Sequence, residues 1–375
     1  MFACCYTNAS VANYTMRLIS TLESRRDLRI RVVSSHCKCL ERFPLGRYML
    51  VQKCSLVRCP YLIFPRSKSR SLNFVRNFVP NTIMDLFRGI SYLRASKGCD
   101  VIHFQQSSSF AFGFLPFIPI ILFSNQRKVV TVHSFSFFMP SRMLVRFFCR
   151  LYNRVDRVIV HSESMRTHLI NMGVHASRIV KIFHGVNIPP LHALKRSEIT
   201  FMGAPEERKG FLTVLDALRI LKNKNITIKV SIYGFYSDSE RNYMEMQAAM
   251  RNVDDCLFWG GRLNEKEFDM KLQQSLITLA VYNSAISGSN VVTRAMSNAT
   301  PVLASDIGGL KEYLETAGIF VPPSDPRRLA ETIESLLRNT NLLEGLGKKG
   351  RERAVSLFSW DAIAKETANL YESIV

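Results

Sequence analysis

Short apolar strands alternate with helix-length segments along the whole chain, and the pattern runs through twice. In the first half, RIRVVSS (29–35), DVIHFQ (100–105), KVVTVH (128–133) and RVIVHS (157–162) are short, β-branched and largely apolar. In the second half, EITFMG (198–203), ITIKVSIYG (226–234), CLFWGG (256–261), LITLAVY (276–282) and TPVLAS (300–305) repeat the plan. Strands of this kind, separated by helices, pair in parallel and are covered on both faces. The expected fold class is therefore α/β, with two doubly wound Rossmann-like domains facing a cleft. HGVNIPPLHALKRS (184–197) has a proline pair and no apolar period, and reads as the connection. The expected boundaries are 1–185, a linker at 186–197, a second domain at 198–357 and a terminal segment at 358–375. In such sheets ligands collect beyond the C-terminal strand ends, so the cleft is the default site.

With 375 residues the chain has enough length for two cores. Its charge is unevenly placed: residues 1–187 hold 27 Lys/Arg against 7 Asp/Glu, whereas residues 188–375 hold 23 of each. The first half therefore suits an anionic surface or a polyanion. Within SRMLVRFFCRLYNRVDR (141–157), Arg142, Arg146, Arg150 and Arg154 recur at four-residue steps, which makes one basic helical stripe. SLNFVRNFVPNTIMDLFRGISYLR (71–94) is a second basic amphipathic stretch, and Arg58, Arg66, Lys68 and Arg70 add a charged loop. One such stripe is ordinarily a solvated helix face. Three in a half so poor in acids point to anionic lipid headgroups, hence to peripheral membrane association. Nucleic acid is the rival partner and is not expected: the phenylalanines lie in apolar runs rather than an exposed groove, and no RNA-binding signature is present.

The longest apolar run, FAFGFLPFIPIILF (110–123), is interrupted by Pro116 and Pro119. It falls short of the roughly 20 residues a span needs, and is expected to be a buried helix with an interfacial surface. MFACCYTNASVANYTMRL lacks the basic-then-apolar plan of a signal peptide, and nine scattered cysteines fit reduced thiols. The expected location is the cytoplasm, on the inner face of the membrane. HCKC (36–39) with Cys54 and Cys59 does not have zinc-knuckle spacing, and no metal or other cofactor is expected.

Two strand ends in the second half are equipped for phosphate. After EITFMG, the face marked by Phe211, Leu215, Leu218 and Leu221 sets a helix whose start carries Arg208, Lys209 and Gly210. Cations and free amides converge on an anion at such a start, although Glu206-Glu207-Arg208-Lys209 also reads as a cluster neutralising itself. After LITLAVY, the turn Ser287-Gly288-Ser289-Asn290 opens a second helix, with Arg294 one turn in. Two anion-competent starts in one domain favour a diphosphate, as in a nucleotide-sugar.

In this order, KVVTVHS (128–134), DRVIVHSESMRTHLINMGVHASRIVKIFHGVN (156–187), ERKGFLTVLDAL (207–218), FWGGRLNEKE (258–267), RAMSNATPVLASDIGGLKEYLE (294–315) and GIFVPPSDPRRLAETIESLL (318–337) resemble the family-4 retaining glycosyltransferases of GT-B architecture. FSWDAIAKETANLYESI (358–374) resembles that family's terminal helix, which crosses back onto the first domain. The resemblance implies that Lys209 reaches the donor phosphates and that Gly234 lies in the loop beside the nucleotide. It also implies that Gly288, Ser289 and Asn290 turn amides to the donor, and that His133 lies near the donor sugar as a catalytic group.

The chain departs from the family in three places. The arginine usual just after the strand glycine would fall at Ala204, with Arg208 as the available substitute. TNASVANY (7–14) replaces a glycine pair, offering Asn8, Ser10 and Asn13 to a sugar or phosphate, or simply forming a polar turn. The two glutamates of the family's E-x7-E stretch are Ile286 and Arg294 here; isoleucine bonds no hydroxyl and arginine has no acceptor. Arg294 then either takes a phosphate or folds onto a neighbouring acid, with Asp306 or Glu312 as replacement carboxylates. The expected activity is metal-independent, retaining transfer from a nucleotide-sugar to a lipid-linked or polysaccharide acceptor. A catalytically silent GT-B scaffold is the alternative, and a nucleotide-sugar epimerase a minor one.

Overall fold

The computed structural model of the protein describes residues 2–4, 9–24, 28–34, 50–53, 89–90, 92–106, 117–133, 142–284 and 289–375. Its contacts divide the chain into two compact units, Met1–Ile182 together with Ile363–Val375, and Phe183–Ala362.

The first unit holds a seven-stranded parallel sheet of β1 (Phe2–Cys4), β2 (Arg31–Ser34), β3 (Leu50–Lys53), β4 (Val101–Gln106), β5 (Arg127–Val132), β6 (Arg157–Val160) and β7 (Ile179–Lys181), in the order β3-β2-β1-β4-β5-β6-β7. β4 is buried on both faces but is not apolar on both. Ile102 and Phe104 join a core with Tyr92, Phe117, Ile120, Val130 and Leu169. His103 and Gln105, pointing the other way, are equally buried. The helix Glu163–Asn171 starts where Ser162 caps it, its side chain accepting from the Met165 amide, with Glu163 in the first turn.

The second unit holds six parallel strands, β8 (Glu198–Met202), β9 (Val230–Tyr233), β10 (Leu257–Gly261), β11 (Ser275–Ala280), β12 (Val302–Ser305) and β13 (Gly318–Val321), in the order β10-β9-β8-β11-β12-β13. The order reverses at β8, which has β9 on one side and β11 on the other. One sheet face is covered by the helix Phe211–Asn223 through Phe211, Leu215, Leu218 and Leu221, the residues its apolar period selects. The other face packs Met202, Ala280, Val292, Met296 and Tyr313. Helices Asp238–Ala249 and Glu265–Gln274 each begin with a reciprocal capping box, Ser237 with Glu240 and Asn264 with Glu267.

Several expectations need adjusting. ITIKVSIYG is strand only over Val230–Tyr233, and β1, β3, β7 and β13 were not anticipated. Of the apolar run at 110–123, the described part is a short helix, Ile118–Phe123, which buries Pro119, Ile120 and Ile121. Its end is solvated, with Phe123 73% exposed, so the helix is buried on one side and leaves an apolar end open. Among the described residues no helix is long and apolar enough to cross a membrane. TNASVANY is not a loop from residue 9 onward: Ser10 and Asn13 lie in the helix Ala9–Leu22, because Val11, Tyr14, Thr15, Leu18, Ile19 and Leu22 form one buried face. The proline-containing connection is pinned within the second unit, Gln273 accepting from the His192 amide at 2.9 Å and donating to the Pro190 carbonyl at 3.0 Å.

Candidate functional site

The reversal at β8 is where loops from the two neighbouring strands meet, and three glycines shape it. β8 runs into Gly203, at φ +105, a left-handed conformation that glycine adopts freely. Gly234, just after β9, packs its backbone against that of Gly203; a Cβ there would lie 2.4 Å from the Gly203 carbonyl carbon. Past the 3-10 turn Glu207–Lys209, Gly210 at φ +72 starts the helix Phe211–Asn223. A Cβ on Gly210 would stand 1.9 Å from the Val281 carbonyl oxygen, so only glycine lets the loop after β8 lie against the loop after β11.

Lys209 turns back over this junction, its Nζ 2.8 Å from where a Gly203 Cβ would be. Its side chain is 18% exposed and pairs with Glu206, Nζ to Oε1 at 3.3 Å. The more exposed Arg208 takes the other oxygen of Glu206 at 3.1 Å. Both cations therefore share one carboxylate. The loop after β11 is fixed on the same turn: the Asn283 amide donates to the Arg208 carbonyl and its side chain to the Glu207 carbonyl, both at 2.9 Å. Ser324, after β13, donates to Asn283 Oδ1 at 3.0 Å. Tyr282 meets Ser289 hydroxyl to hydroxyl at 3.0 Å. Burial raises the Tyr282 pKa, against the lowering influence of the Ser289 hydrogen bond and the Arg208 charge. Ser289 is the N-cap of the helix Asn290–Ser297 and caps no backbone amide with its side chain. Asn290 is exposed, and Gly288 and Ile286 lie outside the described residues.

Arg294 is directed elsewhere. Its Nη2 and Nε donate to Asp269 Oδ1 at 2.7 and 3.2 Å, and Nη2 also donates to the Glu265 carbonyl at 3.0 Å. The guanidinium lies 4.1 Å from the centre of the Phe268 ring. Asn298 completes the cluster, donating to Asp269 at 3.0 Å and accepting from Gln273 at 2.9 Å. Of the two fates weighed for Arg294, it takes the second, folding onto a neighbouring acid. Of the two candidate replacement carboxylates, Asp306 pairs with Lys311 at 3.0 Å.

In the first unit His133 follows β5. Its Nε2 lies 2.8 Å from the Gln105 amide oxygen and its Nδ1 3.2 Å from Nε2 of His161, so both ring nitrogens have partners inside the unit. Tyr14 packs edge-on against it, with ring centres 4.5 Å apart. On the helix Arg142–Tyr152, Arg146, Phe147 and Arg150 are exposed while Phe148, Cys149, Leu151 and Tyr152 are buried, and Arg154 is exposed just beyond. Arg142 begins this helix, and its side chain is outside the described set, as is Asn8 altogether. The sequence reading missed His103, Gln105, His161, Tyr371 and Asp269. The available signal, for two of them, was the pair His103 and Gln105 two places apart in the otherwise apolar strand DVIHFQ. Among the described residues, no group of three His, Cys, Asp or Glu is placed to hold a metal ion.

Two parallel-sheet Rossmann-like units in one chain, one with cations gathered at its switch point, are the architecture of the GT-B fold. Residues 11–188 match the family model described as Glycosyltransferase Family 4, and residues 189–353 match Glycosyl transferases group 1. The chain thus carries two glycosyltransferase-family domains in succession. A phosphatidyl-myo-inositol mannosyltransferase of Mycobacterium leprae is 25% identical over 231 residues, 59% of each chain. The chain spans about half the length of the curated relatives it matches, 44% and 59% of the first two. A glycosyltransferase structure from Rickettsia africae superposes with a TM-score of 0.74 at 16% identity, covering 100% of this chain and 97% of that one. HepE of Anabaena, solved in complex with UDP, gives 0.72 at 15% identity, covering 99% of each.

Proposed function

We propose that this protein transfers a sugar from a nucleotide-sugar to a hydroxyl of a lipid-linked or polysaccharide acceptor, with retention and without a metal, in cell-surface polysaccharide or glycoconjugate synthesis. The observation that carries the reading is the junction at β8, where Lys209 lies over Gly203, whose backbone packs against Gly234. With the Gly210 turn stapled to the β11 loop, a cation is held at short reach beside glycine backbone that a diphosphate can approach closely. Negative charge develops on the departing nucleoside diphosphate, and Lys209 and Arg208 stabilise it electrostatically. Glu206 competes for both cations and keeps them oriented. The UDP complex of HepE supports a uridine nucleotide as donor, and the mannosyltransferase relative, named for a phospholipid, supports a lipid-linked acceptor. The exposed Arg146–Phe147–Arg150 face suits the anionic headgroups among which such an acceptor lies, on the cytoplasmic side of the membrane.

Calorimetric titration of Lys209→Ala with UDP and UDP-glucose tests the site. Loss of one charge-assisted contact should weaken binding about 10-fold or more. Unchanged affinity would overturn the assignment. One observation favours a second reading, a catalytically silent scaffold that still binds nucleotide: Arg294, which the family resemblance sets at a carboxylate position, is spent on Asp269. Product formation from a panel of nucleotide-sugars separates the two, since binding without turnover supports the scaffold.

A further inference from the structure

His133, Gln105, His103 and Tyr371 form a line of hydrogen bonds, with His161 branching from His133, and a single backbone carbonyl governs its protons. His161 Nδ1 lies 2.9 Å from the Ile182 carbonyl oxygen. A carbonyl only accepts, so this nitrogen carries a hydrogen. In a neutral His161, Nε2 is then a lone pair, and His133 Nδ1, 3.2 Å away, must be the donor. A neutral His133 therefore has its lone pair on Nε2 and needs the NH2 group of Gln105. That turns the Gln105 carbonyl to His103 Nε2, which donates to it and to Thr131 Oγ1 at 2.7 Å. The Tyr371 hydroxyl, 2.6 Å away, donates to His103 Nδ1. Every one of these atoms is satisfied and the line is uncharged.

The structure has the Gln105 amide the other way round. Oε1 faces His133 Nε2 at 2.8 Å, and Nε2 faces His103 Nε2 at 3.1 Å. His133 Nε2 must then carry a hydrogen, and His103 must shift its own to Nδ1 and donate to Tyr371. Ile182 still demands a hydrogen on His161 Nδ1, and one more lies between the two rings. His133 and His161 thus hold one proton more than in the uncharged arrangement. The two arrangements differ by that proton and by a half-turn of one amide.

We propose that His161 and Gln105 are positioning residues for His133: anchored by Ile182, His161 makes the two imidazoles take up one proton as a pair, and Gln105 turns with that proton, switching His103 between its tautomers. The role of His133 toward a donor rests on the function proposed above; the proton arrangement does not. Among the described residues, the titratable groups facing the pair include Tyr14, 4.5 Å from the His133 ring and 5.4 Å from the His161 ring, with His103 and Tyr371 beyond Gln105. Burial pushes the His103 pKa down to about 3, which keeps that ring neutral while the pair titrates.

Long-range 1H–15N spectra of the histidine-labelled full chain read the tautomer and charge of each ring between about pH 5 and 8. His133 and His161 should share one midpoint worth a single proton. At that same midpoint His103 should change from Nε2–H to Nδ1–H while remaining uncharged. Gln105→Glu, an acceptor toward both rings, should raise the shared midpoint by about one pH unit or more. Gln105→Met should leave the pair titrating and freeze the His103 tautomer. Independent midpoints for His133 and His161, or one His103 tautomer throughout the wild-type titration, would overturn the proposal. The readout needs neither donor nor product, so its failure and failure of the nucleotide-binding test are separate results.

Discussion

Arg294 illustrates how one side chain changes what its neighbours can tolerate. It shares Asp269 with Asn298, stacks on Phe268, and ties the helix Asn290–Ser297 to the helix Glu265–Gln274. A carboxylate at position 294 would set a second acid against Asp269 in a site where both partners are about four-fifths buried. Arg294→Glu should therefore lose about 2–4 kcal/mol of stability in urea unfolding. Adding Asp269→Asn should recover a good part of that, a coupling visible in a double-mutant cycle. Additive losses would show that the two residues do not act as a pair. Placing an acceptor at position 294 thus requires at least two changes.

The loops that follow β8 and β11 behave as one element because Gly210 allows it. Gly210→Ala adds a methyl both at a left-handed φ and into the Val281 carbonyl, and should cost about 2 kcal/mol or more, read as a lowered melting temperature. A nucleotide-affinity loss out of proportion to that would show the stapled loops acting on the site. Much at this level was legible in the sequence. Nine strands stood out because each carries its own run of apolar, β-branched residues, and the helix start at Lys209 because a strand, a glycine and an apolar helical period surround it. β1, β7 and β13 are only three or four residues long, and pairing in the sheet makes them strands rather than any pattern of their own. The line from His133 to Tyr371 joins β4 to a residue 268 positions away, and periodicity cannot announce such a meeting. The Asp269 partner of Arg294, on a different helix, was hidden for the same reason.

Over the whole molecule, two desolvated histidines, His103 and His184, set a direction for pH dependence. Burial lowers the pKa of His184 to about 4, against a smaller upward pull from its hydrogen bond to Gly185, and that of His103 to about 3. Unfolded, both would take protons below about 6.5, so the unfolded state binds more protons in that window and stability falls as pH drops from 6.5 toward 4. The urea midpoint should therefore be lower at pH 5 than at pH 7; an unchanged midpoint would show that these rings are accessible to protons when folded. The basic first unit makes its own prediction. The protein should float with anionic vesicles at low salt and be released as salt rises, and equal recovery with neutral vesicles would argue against headgroup binding. The last stretch of chain, 363–375, has a further consequence. It buries Ile363, Ala368, Tyr371 and Ile374 within a unit whose other residues all precede 183. During synthesis that unit waits, a seam of its core open, until the whole of its neighbour has emerged from the ribosome. The second unit, made from one unbroken stretch, can close first, so the unit whose strands are made earlier finishes folding later.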